Sequence, residues 1–148
     1  MTTRATSFSD YYVLAVSLVL AAVFLYAGVD KIRDPLQFAD SVAGFAILPV
    51  AFIDPLALSL PLFEMACGAL LLFPRARRVG ALAIALISVV FFVALLSALL
   101  RGLTLDCGCF GAGAPSRPRM WVELGLNVGI FGGATFVYLR STVASTRY

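Results

Sequence analysis

Residues 79–100 read VGALAIALISVVFFVALLSALL, 22 residues without a charge and with only two serines as polar side chains. A helix rises 1.5 Å per residue, so this run extends about 33 Å. That is enough to cross roughly 30 Å of hydrocarbon. Lipid offers no partner for backbone N–H and C=O groups, so such a run must be helical to satisfy them internally. Three further apolar runs, 11–29, 51–73 and 120–139, have the same character. The chain has 148 residues, of which 61% are hydrophobic and 13% charged, with a mean hydropathy of +1.00. A soluble domain carries about 25% charged residues. This composition excludes an ordinary soluble enzyme, a disordered chain and a nucleic-acid-binding domain. The expectation is an all-α integral membrane protein: one domain over 1–148, four helices bundled within a lipid bilayer. The first run is too long for a signal-peptide core and is read as an uncleaved anchor.

Orientation follows from charge placement. Arg75, Arg77 and Arg78 crowd the very short turn over 73–79, where the positive-inside rule acts most strongly. The rule puts that turn and both termini in the cytoplasm. The first and third connections then face the outside, and Cys107 and Cys109 in the third meet an oxidising compartment. Cys67 lies inside the second span, too deep to pair readily with them.

The first connection, 30–50, is long for a helix pair. Asp34-Pro35 is a helix start, with a carboxylate cap followed by Pro at the first position. Leu36, Phe38, Val42, Phe45 and Ala46 can share one face, and Pro49 ends the segment. This predicts a short amphipathic helix between the first two spans, either lying on the outer interface or packed on the bundle as a re-entrant loop. Pro61, interior to the second span, predicts a kink or a freed carbonyl. Gly125, Gly129 and Gly133 form a ridge without side chains on the fourth span. It serves either packing within the chain or a contact with another helix.

The sharpest chemical feature is Asp106-Cys107-Gly108-Cys109-Phe110-Gly111. Cysteines one residue apart can just close a disulfide. The small ring strains it, and strained, exposed disulfides are the oxidising, labile ones. Gly108 provides backbone freedom for the turn. Redox exchange is one reading of this pair. A structural clip, a soft-metal site and an unreactive pair are the others. The second feature is Glu64, an ionisable residue near the middle of a span and so a functional candidate by default. It reads as a proton relay or a polar wall of a quinone pocket, or as an interhelical hydrogen bond to Tyr26, Ser88 or Asn127. Glu123, a few residues into the fourth span, is expected at the outer interface. The chain has no His, which removes the usual metal ligand and general base. No metal site is expected, and thiol exchange needs neither group.

Tyr26-Ala27-Gly28-Val29-Asp30-Lys31 with Asp34-Pro35, then Leu60-Pro61 before Glu64 and Gly68, then Cys107-Gly108-Cys109-Phe110-Gly111 resemble the methylamine-utilisation MauE family, within the broader DoxX-like group of four-helix membrane proteins. The resemblance runs from about residue 14 to about residue 139. It implies a redox-associated protein of the bacterial inner membrane. The partner implied is a periplasmic thioredoxin-like protein, acting during disulfide formation in an exported client such as an amine dehydrogenase. On that reading Cys107 and Cys109 are the redox pair of a thiol–disulfide oxidoreductase, Glu64 is a proton relay, and quinone is the electron acceptor, with no cofactor bound covalently. The alternative is a non-catalytic accessory or assembly subunit of a larger membrane complex.

Overall fold

The computed structural model describes residues 8–105 and 116–145. Among them the chain is entirely helical: α1 (Phe8–Arg33), α2 (Pro35–Gly44), α3 (Ile53–Leu72), α4 (Arg77–Leu100) and α5 (Arg117–Ser145), with a 3-10 turn at Val50–Phe52 before α3. Four helical segments, Asp10–Arg33, Val50–Leu72, Arg77–Leu100 and Arg117–Thr142, are long and apolar enough to cross a membrane. The chain is a multi-pass membrane protein. Large apolar side chains such as Leu18, Leu62, Leu86 and Phe131 point outward, as a lipid-facing surface requires. The spans outrun the apolar runs of the sequence because their helices continue into polar ends at Lys31-Ile32-Arg33 and Arg117-Pro118-Arg119.

The four long helices pack around a shared core of Leu20, Ala21, Phe24, Cys67, Leu71, Ile84, Ala134 and Val137. Small residues set how closely they approach. A Cβ at Gly80 would stand 3.0 Å from the Cys67 carbonyl oxygen and 3.2 Å from the Leu71 nitrogen, so α4 crosses α3 backbone to backbone. Gly28 brings α1 equally near to α3, where a Cβ would lie 3.0 Å from the Pro61 carbonyl oxygen. Of the expected glycine ridge, only Gly133 meets a neighbour, Val16 and Leu20 of α1. Gly125 and Gly129 face open space along a groove of about 720 Å³ between α1 and α5. α3 runs through Pro61 as one continuous helix.

The basic turn between α3 and α4 is tied down by its own arginines. Arg77 Nε donates to the Leu71 carbonyl at 3.0 Å, satisfying an orphan acceptor at the end of α3. Arg78 donates to the Tyr138 hydroxyl at 3.4 Å, its guanidinium 5.3 Å from the ring centre, and so joins α4 to α5. At the opposite end, α2 begins as the sequence indicates. Asp34 accepts from the Gln37 N–H at 3.1 Å, and Pro35 occupies the first position. α2 buries Phe38 and Val42 against Ala57 of α3, so of the two placements it takes packing on the helices. After it the chain turns through Ala46, whose φ of 49° lies in the left-handed region. Arg101, at the end of α4, clamps that turn by donating to the carbonyls of Phe45 and Ala46.

Gly80→Val places a branched side chain against backbone that cannot yield, a cost of about 1–3 kcal/mol. A lowered unfolding midpoint in detergent checks this. Gly125→Ala, entering open space, is expected to leave the midpoint unchanged or slightly raised.

Candidate functional site

The site is built from polar residues that the apolar helices carry inward. Glu64 lies 11 residues into α3, about 16 Å along the helix. Its carboxylate accepts from Lys31 Nζ at 2.7 Å, and each residue is only 3% exposed. Tyr26, Ser88 and Asn127, the partners considered from sequence, do not hold Glu64; Lys31 does. Lys31 stands in the last turn of α1, where a lysine ordinarily extends its stem to the interface. Here it turns the other way. The Gly28 approach lets α1 and α3 lie close, Phe38 of α2 covers the ammonium at 5.3 Å, and Phe91 of α4 flanks it at 5.9 Å. Both rings lie within cation–π range.

Beside the pair is a cavity with about 50 Å³ open to the centres of water molecules, reached by Lys31, Glu64, Ser88, Phe91, Glu123 and Asn127. That is room for a few waters. Glu123, expected near the outer interface, faces the neighbouring helices and is 5% exposed. α5 starts at Arg117, which sets Glu123 nearly two turns inside it. Glu123 Oε1 accepts from Arg119 Nε at 3.1 Å, one turn toward the helix start. Its Oε2 and the Oδ1 of Asn127 are buried with no hydrogen-bond partner among the described residues. The Arg119/Glu123 spacing, an i,i+4 pair at the start of a span, is a sequence signal that could have marked this residue and was not read. No comparable signal marked Lys31 as turning inward.

A second apolar cluster, Phe45, Leu95, Ala98, Leu99, Met120 and Leu124, lies toward the third connection, and its Leu95 also lines the cavity. Met120 also holds the described end of that connection after α4, where the Leu105 N–H donates to its sulfur at 3.4 Å. Its own N–H donates to the Ser116 carbonyl at 3.2 Å, which opens the first turn of α5. Cys107 and Cys109 lie outside the described residues, between Leu105 and Ser116. Cys67 is 2% exposed in the shared core. No group of three or more metal-ligating side chains forms among the described residues.

Removing one partner of a buried ion pair leaves a charge without compensation, at a cost of about 3–5 kcal/mol. Lys31→Met alone and Glu64→Gln alone are each expected to lose that much stability. Lys31→Met combined with Glu64→Gln is expected to recover most of it. Unfolding of the four proteins of this cycle in detergent measures the coupling.

A family model for methylamine utilisation protein MauE matches residues 9–140. Methylamine utilization protein MauE of Methylophilus methylotrophus is 37% identical over 111 residues, 74% of this chain and 56% of that protein. Its counterpart in Paracoccus denitrificans is 35% identical over 109 residues, 73% of this chain and 58% of that protein. The chain thus spans little more than half the length of these relatives. No solved structure matches it. With nearly all of its helical part matched by one family model, the chain belongs to the MauE family of methylamine utilisation proteins.

Proposed function

We propose that this chain is a membrane thiol–disulfide oxidoreductase serving methylamine utilisation, with Cys107 and Cys109 as its redox pair. The observation that supports the reading is that the described flank of the Cys-bearing connection is seated near the polar interior. The Leu105 N–H donates to the Met120 sulfur, one helical turn from Glu123, which lines the cavity. In the proposed cycle the Cys107–Cys109 disulfide accepts two electrons and two protons from a dithiol. The donor is a periplasmic thioredoxin-like protein or the exported client itself, such as an amine dehydrogenase, which is left with a disulfide. The Cys107/Cys109 dithiol is reoxidised by a membrane quinone, which takes up both electrons and both protons as quinol. Glu64, poised by Lys31 at 2.7 Å, relays protons at the cavity. The protein is placed as one domain of the DoxX-like four-helix type in the bacterial inner membrane, with both termini and Arg75 cytoplasmic and the cysteines facing the periplasm.

A second reading, a non-catalytic accessory or assembly subunit, is favoured by one feature. The groove between α1 and α5 is open along Gly125 and Gly129, and small residues there admit another helix closely.

The two readings separate on the cysteines. Cys107→Ser and Cys109→Ser are each expected to stop client oxidation without altering the unfolding midpoint. The remaining thiol of each is expected to trap a mixed disulfide with the partner. The pair is expected to titrate well above the roughly −300 mV that bounds structural disulfides. A double variant that still supports client maturation, or a pair that stays reduced in oxidising buffer, removes the redox reading. In intact cells, an impermeant maleimide is expected to label the pair after mild reduction. Labelling only in opened cells reverses the orientation.

A further inference from the structure

The cavity beside Glu64 is bordered by Leu95 of the second apolar cluster and adjoins a groove that opens on the lipid side. Between α4 and α5, Ser88 and Asn127 line both the cavity and an adjoining groove of about 220 Å³. The rest of the groove wall is apolar: Val89, Phe92, Val128 and Phe131. Val89, Val128 and Phe131 are exposed on the lipid-facing surface. The two spaces therefore adjoin at Ser88 and Asn127, with apolar and aromatic walls at the lipid side and polar groups at the inner side.

The inner tip specifies what fits. Two buried oxygens, Glu123 Oε2 and Asn127 Oδ1, have no donor among the described residues. A buried acceptor left unpaired costs about 1–3 kcal/mol, so the tip calls for a hydrogen-bond donor, supplied by water or, when a ligand enters, by its hydroxyl. Its depth narrows the choice further. Ser88 lies 11 residues into α4 and Asn127 10 residues into α5, both well inside their spans. A phospholipid headgroup stays at the interface, and its phosphate would be repelled by the Glu123 carboxylate. A quinol is neutral, moves within the hydrocarbon, and carries hydroxyls on a flat ring that suits a wall containing two phenyl groups. The Asn127 amide can turn over by rotation, exchanging oxygen for nitrogen, so it can meet either a quinol hydroxyl or a quinone carbonyl.

We propose that the gap between α4 and α5 is a quinone/quinol docking site, reached sideways from the bilayer, in which Glu123 and Asn127 contact the head and Phe92 and Phe131 flank the ring. It rests on the proposed function for its electron acceptor, and it assigns that acceptor a location. Glu123 and Asn127, rather than Glu64, touch the ligand. Glu64 and its Lys31 lie further in and exchange protons with the head through the cavity.

The test titrates the full chain in lipid nanodiscs with decylubiquinol under argon and with decylubiquinone, reading heat of binding. One saturable site per chain is expected. Asn127→Leu removes a head contact and is expected to weaken quinol binding about tenfold, the value of one hydrogen bond. Val128→Trp fills the groove from the lipid side, where it threatens no packing, and is expected to abolish binding. Val79→Trp, on the lipid-facing surface of α4 away from the groove, is expected to bind as the unsubstituted chain does. Glu123→Gln offers an amide donor in place of a carboxylate and is expected to shift preference from quinol toward quinone. A merely structural Glu123 would leave that ratio alone. Absence of saturable binding, or binding unaffected by Val128→Trp, overturns the proposal. The variant lacking both Cys107 and Cys109 is expected to retain binding, so docking and thiol exchange fail independently of one another.

Discussion

A lysine and a glutamate that meet inside the helices, 2.7 Å apart, constrain the rest of this structure. Either charge alone in hydrocarbon costs about 2.5–3.5 kcal/mol at a helix centre on insertion scales. Their attraction holds only while α1 and α3 stay close enough for the stem of Lys31 to reach inward. Gly28 allows that approach, since any side chain there would meet α3. Phe38 and Phe91 cover the ammonium from α2 and α4. Four of the five helices thus contribute to one ion pair. α2, which could have lain free on the membrane surface, has a physical reason to pack on α3.

The spans and their number were legible in the sequence, because length and apolarity alone set what can cross lipid. The Asp34-Pro35 helix start was equally legible, since capping is local chemistry. Glu64 stood out for its position in the middle of an apolar run. Lys31 did not, although it is Glu64's partner. A lysine in the last turn of a span reads as interfacial, and only tertiary contacts from Gly28 and Phe38 reverse its direction. The inward direction of Glu123 was hidden for a related reason. Distance from the end of the apolar run gives a level along the span, whereas the side of α5 that faces the cavity is set by packing against α4. Cys107 and Cys109 were conspicuous in the sequence and lie outside the described residues.

The two ends of the molecule are fastened differently. At the α3–α4 turn, arginines satisfy a helix-end carbonyl and a tyrosine hydroxyl on neighbouring helices. At the other end, Arg101 holds a left-handed turn after α2, and the Met120 sulfur accepts from the Leu105 N–H at the start of the third connection. The first arrangement fixes helix against helix. The second fixes connections against helices.

The ion pair also bears on how the chain is made. Lys31 emerges from the ribosome 33 residues before Glu64. In the interval its long stem can hold the ammonium at the membrane surface, so α1 can enter the bilayer alone at little expense. Glu64 has a short stem and a place near mid-depth, with no route back to water. When α3 leaves the insertion machinery, α1 is already present with the opposite charge. Lys31 need only swing inward by its side chain to receive it. The order of the helices along the chain therefore settles which charge waits for the other. A circular permutation that delivered α3 before α1 would leave a carboxyl group in lipid with nothing to meet it.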